Sequence, residues 1–178
     1  MTHRIVVAAV FLVTGSLLVR ADAPDFATLL AVNPKLNRWL TVQMVESGGG
    51  PKKSYTATAF ETSKILWQKD NQAIYFATAR PPTEATQEEI GILIVARSGA
   101  SGKWNVMKSI RLEATGKYAG TAVEVTSSAA VPSYDVPVIT VTLNQGGRGY
   151  AYAESFTYSM IDDNFVLHQP GKQIPFSG

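Results

Sequence analysis

The residues able to do chemistry are few, and their spacing argues against most of the chemistry they suggest. The 178-residue chain has no cysteine and two histidines, His3 and His168. A zinc site of the ordinary Cys/His kind is therefore excluded. Gly102 and Lys103 have the Gly-Lys pair of a phosphate loop, but that loop needs a leading Gly where Arg97 stands and a Ser or Thr where Trp104 stands. It also needs a helix whose free N–H groups hold the phosphate, and the residues after Lys103 read as a strand. Gly99, Ala100, Ser101 and Gly102 approximate a nucleophile elbow, with the second Gly one place too early and no helix after it. Its base would have to be His168, and a lone histidine near a chain end is more often a surface residue than a catalyst. Asp162, Asp163 and Asn164 offer oxygen ligands to calcium, which takes about 6–8 of them. Three short Asp and Asn side chains read better as a hairpin turn, where they bond their own backbone. Glu84, Glu88 and Glu89 read as a solvated polar loop. No catalytic residue, metal ligand or cofactor is expected.

One segment has an unusual distribution of side-chain size. Tyr150, Tyr152, Glu154, Phe156, Tyr158 and Met160 alternate with Ala151, Ala153, Ser155, Thr157 and Ser159. A strand has a period of two, so the large set occupies one face and the small set the other. Arg148 lies in the preceding Gly-rich turn, near the start of the large face. Such a stripe packs on an opposing sheet as core, or else Arg148, Tyr150, Tyr152, Glu154 and Tyr158 form a binding surface. Tyr and Arg carry interface energy, and Glu154 is costly to bury unless a cation or a Tyr hydroxyl stands beside it.

Pattern also sets out the elements that must position these residues. Residues 1–23 have a basic start, an apolar middle over residues 5–19 and a small-residue exit at Ala21, Asp22 and Ala23, which is the form of a cleavable signal peptide cut after Ala23. As a helix the apolar middle spans roughly 22 Å, short of the ~30 Å hydrocarbon core. Removing 23 of 178 residues leaves 155, a single-domain length that stands without disulfides. Of 16 basic and 14 acidic residues, 14 and 13 remain after Arg4, Arg20 and Asp22 are lost. A net charge of +1 is no electrostatic footprint for nucleic acid or an anionic membrane.

Residues 24–50 form an N-terminal helical segment and a Gly-rich joint. Asn33 and Pro34 suit the N-cap and first turn of a helix, with Leu36, Trp39, Leu40 and Met44 at helical spacing and Gly48 as its stop. Leu40, Val42 and Met44 also alternate as a strand would. Residues 51–178 are β-rich and belong to the same domain. Strands are expected over residues 55–60, 65–67, 74–78, 90–96, 121–126, 139–143, 150–161 and 165–167, with another holding Trp104, Val106, Ile110 and Leu112. The run 90–96 is apolar on both faces and reads as covered on both sides. The fold class is mostly β: an antiparallel meander forming a sandwich or curled sheet with one N-terminal helix. The alternative is an α+β arrangement with the helix packed on a curved antiparallel sheet.

The leading function is an exported, non-enzymatic binding or protein-interaction module of the periplasm or extracellular space, with a protein or glycan partner. Residues 146–150 are faintly similar to the Ser/Gly-rich loop ending in Tyr of bacterial lysozyme inhibitors, which suggests an inhibitor-like role. The rest of that pattern is missing, so the similarity places the chain in no family. Two other classes stand beside it. One is a carboxylate-dependent hydrolase of envelope polysaccharide, which needs Glu154 and a second carboxylate across a cleft. The other is a structural subunit of an envelope assembly, marked by a large exposed apolar patch.

Overall fold

The computed structural model describes residues 22–45, 52–80, 89–114, 119–127, 137–147 and 150–175. The expected signal peptide lies outside them except for Asp22 and Ala23. Among the described residues no helix is long and apolar enough to cross a membrane.

Helix α1 (Phe26–Val32) starts where the Asp25 carboxylate accepts the Thr28 backbone N–H at 2.7 Å. That bond satisfies one of the N–H groups a helix start leaves free, and it holds the Asp25 carboxyl below its ordinary pKa. Phe26 and Leu29, three apart, bury one face. Asn33 ends α1, its side-chain amide donating to the Leu29 carbonyl at 2.9 Å. Pro34 then opens a 3-10 helix, Pro34–Leu40, that buries Leu36 and Leu40. The single helix expected from Asn33 to Met44 is thereby corrected in type and extent. Residues Thr41–Val45 form strand β1, paired antiparallel with β2 (Lys52–Thr56). Thr41, Val42 and Val45 are β-branched and favour extended backbone, and β2 supplies the ladder that a continued helix would lack. Residues 57–60, expected to be extended, are not in a strand.

Beyond β2 the chain forms two four-stranded antiparallel sheets, each a meander. The first contains β3 (Thr62–Lys69), β4 (Gln72–Ala79), β5 (Glu89–Ser98) and β6 (Trp104–Ala114) in that order. The second contains β7 (Gly120–Ser127), β8 (Pro137–Gly147), β9 (Tyr150–Ile161) and β10 (Asn164–Pro175), again pairing with sequence neighbours. The expected mostly-β meander with one α-helix is the architecture observed.

The first sheet is the middle of three layers. One face carries Ala73, Tyr75, Ala77, Ile92, Ile94 and Ala96, which pack on Phe26, Leu29 and Leu36 of the N-terminal layer. The other face carries Ile74, Phe76, Leu93 and Val95, which pack on Val123, Ile139, Val141 and Met160 of the second sheet. Residues 90–96 are therefore apolar throughout because both their faces are covered. Each Ile, Leu or Val buried there contributes about 1.5–3 kcal/mol relative to exposure. On the second sheet Ile139, Val141 and Leu143 point inward, with Thr140 and Thr142 on the opposite, partly exposed side.

Bulges decide which face some residues reach. Val95 pairs with Lys108 but Ala96 with Val106, leaving Met107 extra. Trp104 and Val106 thus join the N-terminal core, while Ile110 and Leu112 join the inter-sheet core, although all four have even numbers. A second bulge at Leu66 lets Leu66 and Trp67 both pack on the inter-sheet core. The sheets cross: β7 lies over β3, β5 and β6, and β10 over β6.

Polar contacts tie the sheets at two corners. Asp163 Oδ1, in the β9–β10 turn, accepts from Gln72 at 2.6 Å and pairs with Arg97 at 3.1 Å. At the other, the Glu89 carboxylate accepts the Thr121 backbone N–H at 2.6 Å and the Arg80 guanidinium at 2.8 Å. Glu89 is therefore a buried, doubly bonded group at the start of β5, which corrects its reading as part of a solvated loop. Glu84 and Glu88 lie outside the described residues.

Candidate functional site

The large-residue face of β9 shares its side of the second sheet with Ile139, Val141 and Leu143, which pair with Tyr158, Phe156 and Glu154. Phe156, Tyr158 and Met160 pack in the inter-sheet core. The Tyr158 ring meets Phe165 edge-on at 6.4 Å between centroids, and burial raises its phenol pKa. Tyr152 and Glu154 lie toward the start of the strand, where side chains are only partly buried. There the Tyr152 hydroxyl donates to Gln145 Oε1 at 3.3 Å, and Gln145 Nε2 donates to Glu154 Oε2 at 3.1 Å. An amide thus stands beside Glu154, which is only partly buried and so is not under the full demand for a cation or a Tyr hydroxyl. No motif marks Gln145, yet a two-residue connection from Gly147 to Tyr150 puts it opposite Tyr152 by counting back along the ladder. Tyr150 opens β9 opposite Gly147, and Arg148 lies outside the described residues.

Two concavities elsewhere combine more kinds of group. The first, of about 530 Å³, opens at the corner where the β3–β4 turn meets the β9–β10 turn. Half-buried Trp67 and buried Met160 give it apolar surface. Lys69, Asp70, Asn71, Gln72, Arg97 and Asp162 surround these with both donors and acceptors. Asp70, Asp162 and Asp163 have φ of 52°, 49° and 59°, the left-handed geometry that two-residue hairpins demand and that Asp tolerates. Asn71 is held by its own amide donating to the Ser98 carbonyl at 3.2 Å.

The second, about 540 Å³, runs between the 3-10 helix and the bulged stretch of β6. Val32, Leu36 and Met107 contribute apolar surface, and Lys35, Arg38 and Lys108 contribute positive charge. None of its described lining residues is acidic.

No known protein family, characterised protein or solved structure matches the chain. Function therefore rests on what these surfaces can do chemically. Glu154 accepts from the Gln145 amide, and His168 is exposed on β10. No group of three or more His, Asp or Glu among the described residues is placed to hold a metal ion. The corner pocket balances two cations, Lys69 and Arg97, against two anions, Asp70 and Asp162, around an indole. That balance suits a neutral ligand with many hydroxyls and an apolar face. The β6 groove, with the exposed Lys35 and Lys108 in its lining, suits an anionic one.

Proposed function

We propose that the chain is an exported, non-enzymatic binding module whose corner pocket takes a neutral oligosaccharide. The observation that carries this reading is the company Trp67 keeps: it lines one concavity together with carboxylate, amide and guanidinium groups. A sugar ring presents a C–H face to an aromatic ring while its hydroxyls, each donor and acceptor, need planar polar partners around the edge. Pockets that orient ligands combine apolar surface with a few convergent polar groups in this way.

The test is binding of chito-oligosaccharides, cello-oligosaccharides and peptidoglycan fragments, first on an array and then by calorimetry. Asp162→Asn keeps a residue tolerant of left-handed backbone and removes the charge; it is expected to weaken binding about tenfold at unchanged melting temperature. Trp67→Phe keeps an aromatic in the core and is expected to weaken it as well. Absence of glycan binding, or equal binding by both variants, refutes the reading. Export is tested by mass spectrometry of the protein from its host, where intact Met1 on membrane-bound material would overturn it.

A further inference from the structure

We infer that the groove between the 3-10 helix and β6 docks an acidic, amphipathic peptide segment of a partner protein. The two walls of the groove make different demands on an occupant. Lys35 on the helix and Lys108 on the strand are exposed cations, in a lining whose described residues include no carboxylate. Val32 is 51% exposed and Met107 is 48% exposed in the same lining, so apolar surface accompanies the charges. A polyanion without apolar groups neutralises the lysines and leaves that surface in water. An acidic peptide carrying a Leu- or Val-sized side chain satisfies both. A bilayer is a poor fit because the surface is concave, and a flat headgroup layer cannot enter a cleft of about 540 Å³.

The bulge explains why the contact is made by side chains. β6 is an edge strand of its sheet, and edge strands invite an added strand. At Met107 the ladder is interrupted and the strand bends, which spoils main-chain pairing there. The same irregularity leaves Met107 exposed beside Lys108, so one extra residue blunts the edge and lines the groove.

The experiment uses the full exported chain and a fluorescein-labelled dodecapeptide alternating Glu with Leu, read by fluorescence anisotropy. Binding is expected, at least about tenfold weaker for the Lys35→Glu, Lys108→Glu double variant and weaker for Met107→Ser. Raising the salt concentration weakens it too, as expected for exposed charges. All three positions are exposed, so circular dichroism of the variants should match wild type. Equal binding by the double variant overturns the inference. So does equal affinity for a Glu-only peptide, or displacement by phosphatidylglycerol vesicles, which would make the site a general anion or membrane surface. Oligosaccharide is expected not to compete, and Asp162→Asn to bind the peptide normally, which separates this groove from the corner pocket.

Discussion

Gly91 stands in a tightly packed spot where the first sheet meets Thr121 of the second, and adding one carbon there measures how tight that packing is. The residue sits in β5 opposite Thr78 and Leu112, facing the second sheet. A Cβ at this position would lie 3.1 Å from Phe76 Cε2, 3.3 Å from Leu112 Cβ and 3.3 Å from Thr121 Cγ2. All three are tighter than ordinary van der Waals contact. The Leu112 contact is made at its Cβ, which is fixed to the backbone, so relief there requires β5 or β6 to move. Overpacking of this kind costs about 1–3 kcal/mol. Gly→Ala also restricts the unfolded chain, which returns about 0.4–1 kcal/mol. Gly91→Ala is therefore expected to destabilise by about 1–2 kcal/mol, lowering the melting temperature by about 3–6 °C with the urea m-value unchanged. Shortening the ring with Phe76→Leu should cost less in the Gly91→Ala background than in wild type, a coupling of at least about 0.5 kcal/mol. A Gly91→Ala protein as stable as wild type, or strictly additive behaviour of the pair, would refute the packing argument.

Two further expectations concern the layer contacts. The Tyr75 hydroxyl donates to the Pro24 carbonyl at 2.9 Å, and burial, with a smaller contribution from Asp25, pushes its pKa up to about 12. An unfolded tyrosine ionises near ~10, so as pH rises the unfolded chain loses this proton first. Stability from Tyr75 is then fully present below pH ~10 and declines as pH rises toward about 12, by about 1–2 kcal/mol. Urea unfolding at the two ends of that interval, with phenolate absorbance read in parallel, should show the decline, and Tyr75→Phe should reduce it. At the β9–β10 turn, Asp163→Ala removes the contacts to Gln72 and Arg97 and places alanine at a φ of 59°. Asp163→Gly loses the same contacts without that strain, so it should be less damaging by about 1 kcal/mol; equal melting temperatures would show that backbone conformation contributes nothing.

What the sequence reveals here is governed by the range of the interactions involved. The strand covered on both faces, residues 90–96, is legible because burial on two sides leaves an unbroken apolar run. The turn at Asp70 and Asn71 and the one at Asp162 and Asp163 are legible from local chemistry. The Asn33 and Pro34 signal correctly locates a helix start, but Asn33 also closes α1, and Pro34 opens a 3-10 helix that yields to β1. That change depends on pairing with β2, across the Gly-rich joint, which overrides local spacing. Bulges escape pattern reading altogether: Trp104, Val106, Ile110 and Leu112 look like one face until Met107 is found to be extra. The aromatic stripe is plain in the sequence, but its division between Tyr158 in the core and Tyr152 with Glu154 on Gln145 requires the register of β8. Neither concavity is visible in the sequence, because each is built from elements distant along the chain.

Each strand of the two large sheets pairs only with its sequence neighbours, and this has a kinetic consequence. Loop closure is cheap when partners are close along the chain, so each meander can zip outward from a hairpin without first fixing a long loop. Such a chain should fold toward the fast end of the range for all-β proteins, with docking of the finished sheets as a late step. The Arg80–Glu89–Thr121 bridge then belongs to the docking and should govern chiefly how fast the native protein opens. In a denaturant-dependent kinetic series, Arg80→Ala is expected to slow refolding little while it accelerates unfolding. The two corner ties would thus set the native lifetime, and the hairpins the speed of arrival.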